Sequence, residues 1–198
     1  MVLVMLQATS PLGPRQFNRS VLRAHVDSLR RSGLFEEVRA DVSPGVAILL
    51  DHPGKAPAWL GGGCFDELNA AIHRRRARAG LRDFLGHVMQ TSLAGTLEPI
   101  IRFVLGFLGQ GPAAIFGRTD LMLSTNTRNI EMHWKATSRK SGVITVVCGE
   151  PVPEVSWIAW EGTFAWVLAL TGATGSVGEA RPSADARCCE IDVRWERR

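Results

Sequence analysis

Val152 to Gly172, VPEVSWIAWEGTFAWVLALTG, limits what this chain can fold into more than any other stretch. Pro153 suits a first helical position, where its missing N–H costs nothing, and Glu154 favours the positive end of the helix dipole. Gly172 is a stop signal. Between them Val155, Trp157, Ile158, Trp160, Phe164, Trp166, Val167, Leu168 and Leu170 cover every face, the pattern of a helix enclosed by protein. The segment is too short and too polar to span a bilayer. Glu161 is its only charge between Val155 and Thr171, and Trp157, Phe164 and Leu168 share its helical face. If that face is buried, the carboxylate needs a cation or amide partner, a raised pKa or the rim of a wet cavity. The alternative is that it reaches solvent at the helix edge. Trp157, Trp160, Glu161, Phe164 and Leu168 are the candidate ligand-binding residues, although dense aromatic rings also mark an ordinary core.

With 198 residues, 45% hydrophobic and 21% charged, the chain has material for one packed domain, mainly helical over 1–120 and sheet plus buried helix over 121–198. The N-terminus lacks a secretory pattern and no apolar run reaches a membrane span, so a soluble cytoplasmic protein is expected. Cys64, Cys148, Cys188 and Cys189 form no CxxC pair, which argues against a disulfide framework or a structural zinc site. A zinc site from Cys148, one of the adjacent cysteines and His133 is the residual metal option. His73, Arg74, Arg75, Arg76, Arg78 and Arg82 concentrate positive charge, but they encircle a helix and no aromatic interleaves them. They read as a solvated helix end and not as a nucleic-acid surface.

Along the chain, Pro14 through Arg31 has helical spacing, with Phe17, Val21, Leu22, His25, Val26 and Leu29 on one side and Gly33 as a stop. Val46 to Leu50 fits a short strand or a buried connection. A second helix is expected from Trp59 to Ala79 and a third from Leu81, followed by one around Ile100 to Leu108 behind Pro99 and a short one from Pro112 to Arg118. IEMHWKAT then alternates Ile130, Met132 and Trp134 against Glu131, His133 and Lys135, a strand with one buried face. Val143 to Cys148 completes a hairpin, a weak strand lies around Val177 to Arg181, and Cys189, Ile191, Val193 and Trp195 form the inward face of a last strand. The fold class is α+β: N-terminal helices packed on an antiparallel sheet with β-β-α-β-β order in the C-terminal half. Such an arrangement leaves room for an apolar ligand between sheet and helices, with the Glu161 helix as one wall.

This order of elements, with WIAWEGTFAWVLALTGATG, VCGEPVP and the terminal CCEIDVRW, resembles the superfamily joining 4-vinyl-reductase-type sensor domains, haem nitric-oxide-binding domains and some vesicle-trafficking subunits. More specifically it looks like a large paralogous family of myxobacterial proteins within or near that group. The likeness runs from about Trp59 onward and implies a fold more than an activity. Haem-binding members use a Tyr-x-Ser-x-Arg motif, and this chain has no tyrosine. His87 is the residue to propose as an axial ligand, although a histidine among apolar helix residues is more often a hydrogen-bonded core or surface residue. Zinc-binding members use a glutamate and two cysteines at a spacing that is absent here, although Glu161, Cys188 and Cys189 occupy the general region.

No Gly-rich phosphate loop, nucleophile elbow or paired metal-ligand motif occurs, so no catalytic residue is assigned and no cofactor is expected. GATGSVG follows a helix and precedes a strand, the reverse of a dinucleotide loop. The expected function is a non-enzymatic small-molecule-sensing or signalling domain that takes a small apolar ligand and relays occupancy through a homodimer or another protein partner. The alternative is a structural dimerisation or assembly module without ligand.

Overall fold

The architecture is given by a computed structural model that describes residues 12–93 and 111–196. Strand β1 (Gln16–Asn18) leads into α1 (Arg19–Arg31), followed by α2 (Phe35–Asp41), α3 (Pro44–Asp51), β2 (Trp59–Gly61) and the long helix α4 (Gly62–Val88), which passes into a π-helical turn at Met89–Leu93. Two short helices, α5 (Pro112–Phe116) and α6 (Thr119–Leu123), precede β3 (Thr127–Arg128), β4 (Ile130–Ser138) and β5 (Ser141–Cys148). Then come α7 (Glu154–Leu170), β6 (Thr174–Val177), β7 (Arg181–Pro182) and β8 (Cys188–Glu196). The helix expected around Ile100 to Leu108 falls outside the described residues.

The main sheet is antiparallel with order β4-β5-β8-β6, and β7 pairs with β8. Its register puts Ile144 opposite both Trp134 and Ile191, so the alternating apolar residues of the three long strands line up on one face. Met132, Ile144, Val146, Cys148, Cys189, Ile191, Val193 and Trp195 are buried there; the alternation predicted this for Met132 and the β8 row, whereas Ile130 and Trp134, also expected inward, are half-buried.

Helix α7 covers that face and has a second core behind it. Trp157, Trp160, Phe164, Val167 and Leu168 belong to the core shared with the sheet, whereas Ile158, with Val155 and Ala159 beside it, joins the core built by α1 to α4. The helix is therefore the middle layer, enclosed on both sides as its all-round apolar pattern requires. It starts at Glu154, with Pro153 as the cap, and stops where Gly172 takes a left-handed φ of 68° that costs a Cβ-bearing residue free energy.

Three expectations are corrected. Gln16–Asn18 is a strand and not the start of a helix, because it pairs with Trp59–Gly61 and Thr127–Arg128, while the Asn18 side chain caps α1 by accepting from the Ser20 N–H at 2.9 Å. Val46 to Leu50 is the body of α3, started by Pro44; a five-residue apolar run carries no period that separates strand from helix. The second and third helices are one element, α4, bent at Ala77, which has φ 54° and ψ −171°.

Helices α4 and α7 touch through backbone. A Cβ placed on Gly162 would sit 2.2 Å from the Arg82 carbonyl oxygen, so this glycine sets the interhelical distance. Alanine at Gly162 gains about 1 kcal/mol in helix propensity but forces the layers apart, an overpacking cost of about 1–3 kcal/mol. With a backbone atom in the way, Gly162→Ala should lower stability by about 1 kcal/mol net; a denaturant midpoint equal to or above that of the parent would refute this packing.

Candidate functional site

A cavity of about 70 Å³ lies between α1, α4 and α7. Its body is apolar, made by Phe17, Val21, Phe65, Leu85, Met89 and Trp160, and one part of its wall carries a buried polar cluster. There the Arg15 guanidinium, 3% exposed, grips Asp66 with two hydrogen bonds of 3.1 and 2.5 Å and donates from Nε to Glu150 at 3.0 Å. The Ser156 hydroxyl of α7 donates to Asp66 Oδ1 at 2.5 Å, and Asn69 Nδ2 of α4 donates to Ser156 Oγ at 3.3 Å. Asn69 Oδ1 is buried and has no partner.

The only histidine on this wall is His25 of α1, fully enclosed beside Phe65 and Phe84. Its Nδ1 lies 2.8 Å from the Val21 carbonyl. A carbonyl only accepts, so Nδ1 carries the proton, and burial, acting against that hydrogen bond, pushes the ring's pKa down to about 4. The imidazole is neutral at pH 7 with Nε2 as an unprotonated acceptor.

Of the five residues the sequence singled out, Trp160 forms part of the cavity wall. Trp157, Phe164 and Leu168 pack into the sheet-side core, and the Trp157 indole N–H has no partner there. Glu161 is 0% exposed and does not reach solvent. Its Oε1 accepts from Arg78 at 2.5 Å and from the Ala180 N–H at 2.7 Å, while Oε2 is unpartnered. Arg78 follows the bend at Ala77, so the cation expected on a solvated helix end turns inward to meet this carboxylate. Arg74 and Arg75 are occupied by Asp41, and Arg82 donates to the Val177 carbonyl at 2.8 Å.

Arg15, His25, Asp66, Asn69 and Ser156 were not read from the sequence as a site. A signal was present: Asn69 interrupts the apolar series Leu68, Ala71 and Ile72, and His25 stands among the apolar residues of α1. Among the described residues no group of three or more His, Cys, Asp or Glu side chains is placed to hold a metal ion. Burial pushes the Cys148 and Cys189 thiols up to about 12, so both stay protonated at neutral pH and are weak nucleophiles and ligands.

No family model and no curated protein matches the sequence. Solved structures match its fold. An Fe(II) unliganded H-NOX protein from K. algicida superposes with a TM-score of 0.63 at 5% identity, covering 91% of this chain and 97% of its own. An H-NOX protein used to probe heme distortion gives 0.60 at 10% identity over 91% and 95%, and one used to study H-NOX activation gives 0.60 at 10% over 91% and 97%. The fold is the H-NOX fold.

That fold implies haem, and the cavity between α1, α4 and α7 does not fit it. An engineered cavity that admits benzene measures about 150 Å³; the cavity here is about 70 Å³, far below the volume of a porphyrin. All five histidines are among the described residues; His52, His87 and His133 are exposed, His87 in an open groove of about 490 Å³ beside Gly162 and Trp166, and His73 is half-exposed on α4. Only His25 lines the 70 Å³ cavity, with Phe65 and Phe84 beside it.

Two measurements check the electrostatics. The depressed His25 pKa contributes stability that is fully present above the unfolded value of about 6.5 and is lost as pH falls to about 4, a difference on the order of 3 kcal/mol. His25→Gln should remove that part of the decline in urea midpoint between pH 7 and pH 4; an unchanged profile would place the titration elsewhere. Arg78→Met strands a buried carboxylate and should cost about 3 kcal/mol, most of which is recovered by adding Glu161→Gln. Equal losses in the single and double variants would deny the pair this role.

Proposed function

We propose that this chain is a non-enzymatic small-molecule-sensing domain whose binding site is the cavity between α1, α4 and α7. The observation that carries this reading is a small apolar chamber with a cluster of buried, hydrogen-bonded polar residues on its wall, the usual composition of a ligand site. The H-NOX fold supports it by analogy, since the relatives with this fold are described in terms of heme and its distortion. The volume points to a guest of a few heavy atoms taken up without haem. Kinship with 4-vinyl-reductase-type sensors and with the myxobacterial paralogues belongs to the same proposal, resting on the glycine and apolar pattern around α7.

Helix α7 is the element that would report occupancy. Ser156, Ala159, Trp160 and Thr163 present one side of it to the cavity, while Trp160 stacks on Phe164 at 5.7 Å and Phe164 meets Phe116 at 6.5 Å in the sheet-side core. A guest pressing on Trp160 therefore pushes against a continuous row of rings that ends on Trp134 and Trp195 of the sheet.

Xenon under pressure tests the chamber itself. Saturable methyl shifts should appear at Val21, Leu85, Val88 and Thr163, and Ala159→Leu, which fills the space, should abolish them while the protein stays folded. Shifts that never saturate, or that survive Ala159→Leu unchanged, would overturn the binding site.

A further inference from the structure

The hydrogen-bond directions around the cavity restrict what can bind there. Ser156 has a single proton and gives it to Asp66, so its oxygen can only accept from Asn69. Asn69 must therefore offer Nδ2 to Ser156, which fixes the amide orientation and leaves Oδ1 as a buried acceptor with nothing to accept. An unsatisfied buried carbonyl of this kind costs about 1–3 kcal/mol, free energy that a donor on a guest would restore.

The other hydroxyl donors on the wall are already engaged, and each amide and guanidinium there is engaged through at least one N–H. Thr127 donates to the Leu123 carbonyl at 3.0 Å, Thr163 to the Ala159 carbonyl at 3.1 Å and Asn126 to Thr125 at 3.3 Å. Arg15 is held by Asp66 and Glu150. Among the described residues, two nitrogen or oxygen side-chain acceptors on this wall make no recorded hydrogen bond, Asn69 Oδ1 from α4 and His25 Nε2 from α1. A cation would gain little, because both Asp66 oxygens are taken by Arg15 and Ser156, and it would lose its hydration in an apolar chamber.

Resting on the sensing role proposed for this cavity, we infer that its ligand is a small neutral molecule with two N–H donors and a short apolar body, of the class of short-chain primary amides, held through Asn69 Oδ1 and His25 Nε2. The acceptor pair selects the polar end, and Phe17, Phe65, Met89 and Trp160 enclose the rest.

Acetamide and xenon together form the test on the full chain. The expected result is saturable acetamide binding that moves the His25 Nε2 nitrogen resonance upfield as its lone pair accepts a hydrogen bond. Asn69→Leu should weaken acetamide by about tenfold, the worth of one hydrogen bond, and leave xenon binding as it was. The His25 resonance in the unmodified protein gives the answer even if Asn69→Leu does not fold. Xenon binding with no His25 shift and no Asn69 dependence for acetamide overturns the donor assignment and leaves the chamber standing. Failure of both probes overturns the chamber as well.

Discussion

The close contact of α7 with α4 is the constraint from which the rest of the structure follows. Gly162 lets the Arg82 carbonyl approach to a distance that no Cβ could share, and the helix so positioned divides the protein into a sheet-side core and a helix-side core. Both cores use α7 residues, so neither layer can move independently of the helix. The cavity lies on the helix-side flank of this contact, walled by Leu85 of α4 and Ala159 of α7.

The same contact explains how a carboxylate comes to lie in the middle of an apolar helix. Glu161 is tolerated because the bend at Ala77 delivers Arg78 to it and the Ala180 amide closes the other side. Buried pairs of this kind contribute little net stability compared with apolar residues of the same volume, but a mispaired alternative is costly. The pair therefore acts as a register mark between α4, α7 and the loop before β7. It stands outside the cavity and takes no part in the polar cluster around Asn69.

The cavity between α1, α4 and α7, as the described residues form it, measures about 70 Å³ and is too small for a porphyrin. Packed rings keep it small: Phe65 lies 4.6 Å from Phe17 and 5.4 Å from His25, and Trp160 closes the chamber from the α7 side.

Residues close in sequence determined the elements and their faces. The enclosed helix, its stop at Gly172, the hairpin of β4 and β5 and the inward row Cys189, Ile191, Val193 and Trp195 all follow from periods of 3.6 and 2, because burial on one or all sides leaves that imprint on the chain itself. Of the site, only Trp160 was legible in this way. The partner of Glu161 could not be read, since Arg78 lies 83 residues away and its inward turn depends on one left-handed residue inside a helix. Nor could the cavity, whose polar cluster draws Arg15, Asp66, Asn69, Glu150 and Ser156 from separate regions. Only the tertiary structure decided those meetings, because hydrogen-bond direction and empty volume are properties of surfaces brought together and have no period along a sequence.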